Sequence, residues 1–320
     1  MAVTNFLVSS LPAYVQENRD LIIANLALPN DTRKYFSLVT GVKSSMHLNY
    51  LNANVTLQDG SVCGFDPLDE LELTASTLTV APIKVQGEIC PQTLLGKWGE
   101  YLVRLNAREI KRDLPFEGYI VEAITREIRK KLNSLIWNGS TNDGDPFDGI
   151  FSLIKSNPLP EGNILTINCC TDNCTTDVSI VPSYNILGGL QVAYVAIDDD
   201  TANRGVDFFL SSEFYRAFIM QLAQANLYHY AGPVDEYPET IILPGSNARV
   251  INAPGMPNQS IVATFRGNFV YGTDMEGDDE VFDIWWSNDN RVFRYEVLFT
   301  AGVSAYFWDK VYDISIECGG

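Results

Sequence analysis

The chain has few basic residues. Its 320 residues include 22 lysines and arginines against 40 aspartates and glutamates, so the formal net charge is −18. Proteins that grip the phosphate backbone of a nucleic acid need clustered Lys and Arg side chains, because these neutralise the phosphates. The composition therefore disfavours direct binding to DNA or RNA. It fits a soluble surface, or a wall that does not adhere to nucleic acid.

Long hydrophobic runs are also missing. A membrane-spanning helix needs roughly 18 or more consecutive apolar residues, and the sequence contains no such run. The first residues, MAVTNFLVSSLPAYVQENRD, carry no positive charge ahead of their apolar part, which disfavours a secretory leader. We expect no membrane partner and synthesis in the cytosol.

Histidine, which supplies many catalytic and metal sites, is scarce, and the cysteines form no recognisable metal motif. The histidines are His47 and His229, and both fit ordinary contacts better than the role of a hydrolase base. The stretch NCCTDNC has neither a second Cys-x-x-Cys pair nor a nearby histidine, which disfavours zinc. In a reducing compartment we expect free thiols, although the sequence leaves possible pairing open. The cysteines are Cys63, Cys90, Cys169, Cys170, Cys174 and Cys318.

Nucleotide-binding and nucleophile motifs are missing as well. The sequence has no Gly-x-x-x-x-Gly-Lys-Ser/Thr loop, and Gly302-Val303-Ser304 lacks the second glycine of a nucleophile elbow. We expect no catalytic residues, no metal and no cofactor, and hence a protein that is not an enzyme.

Helical periodicity is present in four stretches. The clearest helix is predicted over 115–137, where apolar residues recur on one side and basic residues follow acidic ones along the helix. Other helices are predicted over 12–28, over 183–197, and from a cap at Ser211 or Ser212. The predicted apolar stripe of the long helix consists of Ile120, Ile124, Ile128, Leu132, Leu135 and Ile136.

Strand patterns occupy most of the remainder. Residues 46–57 and 71–80 alternate around a turn-rich segment at 58–67, which predicts a long two-stranded ribbon that is marginal without a supporting surface. A short strand is predicted over 206–211, and β patterns dominate from residue 240. In the last of these, Phe293, Tyr295, Val297 and Phe299 are expected on one face. The fold class is therefore α+β.

The stretch LIWNGSTNDGDPFDGIF resembles a calcium loop only superficially. If Asp143 were the first ligand, Phe147 would take the fifth position and Ile154 the twelfth, where a bidentate glutamate is required. We interpret it as a polar turn, with Asn138-Gly139 ending the long helix in a left-handed residue. The residues assigned to this turn are Asn138, Gly139, Asp143, Asp145, Asp148 and Gly149.

Two other acidic stretches are interpreted as solvated hairpin ends. They consist of Asp198, Asp199 and Asp200, and of Glu276, Gly277, Asp278, Asp279 and Glu280.

The order of these elements resembles the major capsid proteins of tailed bacteriophages, which have the Hong Kong 97 fold. The resemblance covers nearly the whole chain: an arm, a ribbon, the return strand TLTVAPIKVQGEIC, a spine helix ending LIWNG, then FDGIF, VDFFLSSEFYRAFIMQLAQ and a closing sheet. The stretches GVKSSMHLN, VCGF and PFEGYI resemble capsid proteins of crAss-like phages.

The resemblance implies five regions. They are an N-terminal arm (1–45), an extended ribbon (46–90), a peripheral domain with the spine helix (91–180), an axial domain (181–260) and the closing sheet of the peripheral domain (261–320).

It also implies a function without catalysis. The chain would form hexamers and pentamers of an icosahedral shell around packaged double-stranded DNA, which it would not bind specifically. The ribbon and the arm would lie on neighbouring subunits, and residues 276–280 would form a loop at the local three-fold axis. Portal, scaffolding and auxiliary capsid proteins would be partners, and assembly in the host cytoplasm would yield a virion capsid. Aromatic residues of the last sheet would pack its core: Trp285, Trp286, Phe293, Tyr306 and Trp308.

Two alternatives stay open. An encapsulin-like compartment would share the fold and enclose protein, and an adjacent cargo gene would favour it. A soluble hydrolase or carbohydrate-binding protein would need a cleft containing His229 or a cluster of carboxylates.

Some capsid proteins of the family that this chain resembles cross-link a ribbon lysine to a neighbour's asparagine. Others lose an N-terminal scaffolding segment. Since the ribbon is predicted to begin near residue 46, we expect no such segment in this chain, and mass spectrometry of the mature protein would test that.

We also predict that no covalent cross-link arises from the ribbon tip, because the sequence has no lysine between residues 44 and 83. Assembled particles boiled in denaturant should run as single chains on a gel. A ladder of covalent multimers would contradict this prediction.

Overall fold

The computed structural model describes residues 10–17, 31–53, 71–90, 116–168, 185–227, 240–274 and 281–317, which form an α+β fold as expected. The helices are α1 (Ser10–Glu17), α2 (Phe116–Asn138), α3 (Ile150–Ser156), α4 (Ile186–Ala196), α5 (Asp199–Arg204) and α6 (Ser212–Gln224). The strands are β1 (Ser37–Val39), β2 (Ser45–Ala53), β3 (Leu71–Thr79), β4 (Ala81–Ile89), β5 (Ile164–Asn168), β6 (Val206–Leu210), β7 (Thr240–Ile242), β8 (Arg249–Asn252), β9 (Ile261–Phe265), β10 (Phe269–Gly272), β11 (Val281–Ser287), β12 (Val292–Ala305) and β13 (Val311–Glu317).

The long helix α2 has the predicted apolar stripe. Ile120, Ile128, Leu132 and Ile136 are buried in the main core, whereas Ile124 and Leu135 are partly buried beside it, and both line an open groove. At about 1.5 Å per residue a helix of this length spans about 34 Å. None of the helices within the described ranges combines the length and hydrophobicity of a membrane-spanning helix.

The described strands form two large sheets and a ribbon. The first sheet has the order β1-β10-β12-β11, with β4 also paired to β12; the second has the order β5-β13-β9-β6-β8-β7. Strands β9 and β13 therefore join the sheet that contains β6, while β10, β11 and β12 belong to the other. The predicted closing sheet over 261–320 is thus divided between two sheets, because the alternation within a strand does not specify its partner.

The ribbon is formed by β2 and β3, which pair from Ser45↔Thr79 to Ala53↔Leu71. Its root packs on the ribbon's own chain, where Leu48 and Leu78 share a small core with Val270. A Cβ atom placed on Gly302 would lie 2.1 Å from the carbonyl oxygen of Thr79. A glycine is therefore required where the ribbon crosses the long strand β12. Residues 54–70, which include the predicted tip at 58–67, lie outside the described ranges.

The described parts of the N-terminal region also pack on their own chain. Leu11 and Val15 of α1 are buried in the main core. Strand β1 adds in parallel to β10, and Arg33 is buried with its guanidinium 5.5 Å from the Tyr271 ring. Residues 10–17 and 31–39 thus pack on their own subunit, and an arm that reaches a neighbour stays a prediction. Only the first part of the helix predicted over 12–28 falls in a described range.

Most strand and helix predictions in the second half are confirmed. Helix α4 contains the glycine pair that lowered its predicted helicity. A Cβ on Gly189 would lie 2.7 Å from the Ile316 side chain, so this glycine allows α4 to approach β13 closely. Ser211 occupies the N-cap position of α6 without a side-chain capping bond. On β12, Phe293, Val297 and Phe299 are buried as expected.

Four of the five aromatic residues assigned to core packing pack as expected. Phe293 is 1% exposed, and Trp286, Tyr306 and Trp308 pack against buried clusters. The assignment of Trp285 to the core was wrong: its side chain is 41% exposed, because it lies on the opposite face of β11 from the buried Phe282 and Ile284.

The close approach at Gly302 gives a testable prediction. Gly302→Ala forces a methyl group against a backbone oxygen, so we expect the free energy of unfolding to fall by about 3 kcal/mol, at the upper end for overpacking. Urea unfolding followed by tryptophan fluorescence measures this. Gly162→Ala is the matched control, because a Cβ there meets no atom within 4 Å, and it should change stability by less than about 0.5 kcal/mol. Equal stability of the two variants would refute the account.

Candidate functional site

The turn predicted after the long helix is built around two glycines. The backbone nitrogen of Gly139 donates to the carbonyl of Leu135 at 2.8 Å, and that of Gly149 donates to the carbonyl of Gly139 at 2.9 Å. A Cβ on Gly139 would lie 2.5 Å from the carbonyl oxygen of Phe147, and one on Gly149 would lie 2.6 Å from that of Leu135. The two ends of the loop are thus in backbone contact, so the end of α2 lies beside the start of α3.

The aspartates of this turn face its own backbone. The carboxylate of Asp145 accepts from the Ser140 nitrogen at 3.1 Å. The carboxylate of Asp148 accepts from the backbone nitrogen of Thr141 at 2.7 Å and from its hydroxyl at 2.9 Å, while Asp143 is exposed. Among the described residues no group of three or more His, Cys, Asp and Glu could hold a metal ion.

The helix does not end in a left-handed residue as predicted. Neither Asn138 nor Gly139 has a positive φ, so Gly139 is required for close backbone approach and not for its backbone angle. The Asn138 side chain donates to the carbonyl of Gly255 at 2.6 Å. Gly255 itself has a φ of +90°, and a Cβ there would lie 2.7 Å from the backbone of Asn133. The end of α2 is therefore clamped between two loops.

The interpretation of Asp198 as part of a hairpin tip was wrong. Asp198 is the N-cap of α5 and accepts from the Thr201 nitrogen at 3.3 Å. It also accepts from Lys310 at 2.9 Å and from the hydroxyl of Tyr312. Burial raises the pKa of Asp198, but the hydrogen bonds from Tyr312, Thr201 and Lys310 outweigh it and hold that pKa well below its usual range. Burial, together with the bond to Asp198, raises the pKa of Tyr312 to about 12.

An ion pair between a buried carboxylate and a partly exposed arginine joins neighbouring strands of the six-stranded sheet. Asp207 on β6 is 1% exposed and accepts two hydrogen bonds from Arg249 on β8, at 2.6 and 2.5 Å. The Arg249 guanidinium lies 5.4 Å from the Tyr35 ring. Burial raises the pKa of Asp207, and the hydrogen bonds from Arg249 oppose that rise. Sequence reasoning missed this pair, since 42 residues separate its members. Arg266 also lies 3.7 Å from the Asp207 carboxylate, so two guanidinium groups face this buried charge.

A groove of about 440 Å³ lies between α2 and the strands β4 and β12. Among the described residues that line it, Glu127 supplies the only carboxylate, beside Lys131, and none is a histidine. Its other lining residues are Ile83, Val85, Ala123, Ile124, Ile128, Leu132, Leu135, Tyr295 and Phe299.

The remaining candidates are placed as follows. His47 lies on the exposed strand β2, and its ring nitrogen is 3.4 Å from the Thr77 hydroxyl. Cys90 is an exposed free thiol. Outside the described residues lie His229, the loop 276–280, and Cys63, Cys169, Cys170, Cys174 and Cys318.

No protein-family model and no curated protein sequence matches the chain. Solved structures do. The procapsid of satellite phage P4, including its size determination (Sid) protein, matches at a TM-score of 0.55 and 11% identity, over 100% of this chain and 94% of that one. A second match is the capsid of the empty GTA particle, with a TM-score of 0.53 and 12% identity over 95% and 98% of the two chains. A third match is a structure from Microbacterium phage Oxtober96. Its TM-score is 0.51 and its sequence identity is 14%, over 91% of this chain and 93% of that one.

The chain has the Hong Kong 97-type capsid fold. This agrees with the fold expected from the resemblance, and it accounts for the order of ribbon, spine helix and two sheets. At identities of 11–14% the likeness concerns the fold, and the closer resemblance to crAss-like phages stays a prediction.

The turn gives a second prediction. Gly149→Ala places a methyl group within 2.6–2.8 Å of three backbone atoms, so we expect the free energy of unfolding to fall by about 2–3 kcal/mol. Gly162→Ala again serves as the control in urea unfolding. A fully stable Gly149→Ala would mean that the turn can open without cost.

The cluster around Asp198 gives a prediction for alkaline pH. Because the folded state raises the pKa of Tyr312 from 10 to about 12, its bonding stabilises the fold fully below pH 10 and is lost as the pH rises from 10 to 12. The Tm difference between the wild type and Tyr312→Phe should therefore shrink across that interval. A difference that stays constant from pH 9 to 12 would contradict the assignment.

Proposed function

We propose that the chain is the major capsid protein of a tailed bacteriophage. Copies of it assemble into hexamers and pentamers of an icosahedral shell that encloses double-stranded DNA. The observation that carries this proposal is the match to the structure of the P4 procapsid over 100% of this chain and 94% of the other. A match over an isolated domain would carry much less, because one fold can serve many functions.

The surface of the described residues supports assembly. Large hydrophobic side chains are exposed on several separate elements, and the most exposed is Val195 of α4, at 84%. Single exposed apolar residues are common, but so many on distinct elements suit a subunit with several neighbours. The others are Leu38, Met46, Ile164, Val192, Met220, Ile242 and Trp285, each between 41% and 56% exposed.

The strong negative charge fits an enclosing wall. A net charge of −18 disfavours adhesion to phosphate, so the proposed shell would confine packaged DNA without holding it. The proposal also includes the portal, a separate scaffolding protein and auxiliary capsid proteins as partners, with assembly in the host cytoplasm and the virion capsid as destination. The acidic loop 276–280 is proposed to lie at the local three-fold axis.

Negative-stain electron microscopy after size-exclusion chromatography tests the proposal, with the protein expressed alone and with candidate scaffolding proteins. We expect shells, tubes or six-fold rings. A monomer that remains monomeric with every scaffold would refute it.

The content of the particles separates the capsid from an encapsulin-like compartment. Particles isolated from infected cells should contain nuclease-protected DNA if the chain is a capsid protein. Particles that contain a defined protein cargo and no DNA would support the compartment.

A further inference from the structure

Two short connections run directly between strands of the two sheets in the described part of the chain. Residues 266–268 join β9 to β10, and residues 306–310 join β12 to β13. Both pairs span the same boundary, since β9 and β13 belong to the six-stranded sheet and β10 and β12 to the other. The chain therefore crosses between the two sheets at both connections.

Asn268 ties the two connections to each other. It is fully buried. Its side-chain nitrogen donates to the Phe307 carbonyl at 2.8 Å, and its side-chain oxygen accepts from the Phe307 nitrogen at 2.8 Å. Its own carbonyl accepts from the Tyr306 nitrogen at 3.0 Å. The side-chain amide thus donates one hydrogen bond to Phe307 and accepts another from it, and Phe307 belongs to the opposite connection.

The same side chain also reaches the six-stranded sheet. The second hydrogen of its amide is donated to the Thr264 hydroxyl at 2.7 Å, and that hydroxyl in turn donates to the Lys310 carbonyl at 2.9 Å. All hydrogen-bonding groups of Asn268 are engaged, including its backbone nitrogen, which donates to Phe265 at 3.2 Å. Aspartate could not replace it, because a carboxylate accepts but does not donate.

We propose that Asn268 fixes the angle between the two sheets and thereby sets the curvature of the shell. This inference rests on the proposed function. Strand β12 has 14 residues, so a tilt of about 5° at its junction end moves its other end, about 45 Å away, by about 4 Å. Displacements of that size at subunit contacts change the angle at which neighbours meet.

The test compares shells formed by the wild type with those of Asn268→Asp and Asn268→Ala. We expect wild-type shells of one diameter, and variant assemblies with a broad range of diameters or open sheets. Thr273→Val is the control: it removes a buried hydroxyl that donates to the Thr300 carbonyl at 2.9 Å, beyond the end of β10 opposite Asn268. It should lower Tm while keeping the wild-type diameter. Asn268 variants with wild-type diameters, or an equally broad range of diameters for Thr273→Val, would overturn the proposal.

Two further measurements keep the proposal falsifiable. If the Asn268 variants are insoluble, the shell diameters of Thr264→Val are measured in their place. This variant removes only the hydroxyl between Asn268 and Lys310, and it should also broaden the range of diameters. If the wild type forms no shells, the proposed function fails, and the angle is then measured in the subunit itself. Spin labels at Asp283→Cys and Val195→Cys, in a background with the native cysteines replaced, should show one narrow distance that broadens in Asn268→Asp. An unchanged narrow distance in Asn268→Asp would refute the proposal that Asn268 fixes the angle between the sheets.

Discussion

Trp137 is the point at which the long helix meets both sheets. Its ring is fully buried and lies 5.5 Å from Phe209 of the six-stranded sheet and 6.2 Å from Phe269 of the five-stranded sheet. Phe36 and Phe151 complete the cluster at 6.0 and 6.2 Å. Aromatic pairs at such distances add to the free energy of burial. The helix, both sheets and the N-terminal segment therefore share one apolar contact at their meeting point.

Backbone proximity extends this constraint beyond the aromatic cluster. Immediately after Trp137 the chain turns through Gly139 and Gly149, whose backbones touch, and Gly255 closes on the same helix end. Side chains could not be accommodated at these contacts. The hydrogen bonds of Asn268 then join the two strand connections beside Phe269. Packing and hydrogen bonding thus fix the sheets relative to the helix in a single region.

Sequence periodicity predicted the elements better than their arrangement. The stripe of α2 and the alternation of β12 follow from burial of one side, so both could be found from residue types alone. The partner of a strand is not encoded in its own alternation, which is why the division of residues 261–320 between two sheets was missed. The aspartates at 198–200 had a usable signal: acidic residues at the start of α5 and Arg204 in its last turn are typical of a capped helix. Asn268 and the pair Asp207–Arg249 had none, since their partners lie 39 and 42 residues away.

The proposed function requires copies of this chain to form rings that build a shell. Native mass spectrometry of the purified protein tests it most directly, because it counts copies of the 35.6 kDa chain. The account predicts assemblies of five and six copies and multiples of these. A spectrum containing only monomers or dimers at every concentration, with and without scaffold, would contradict it.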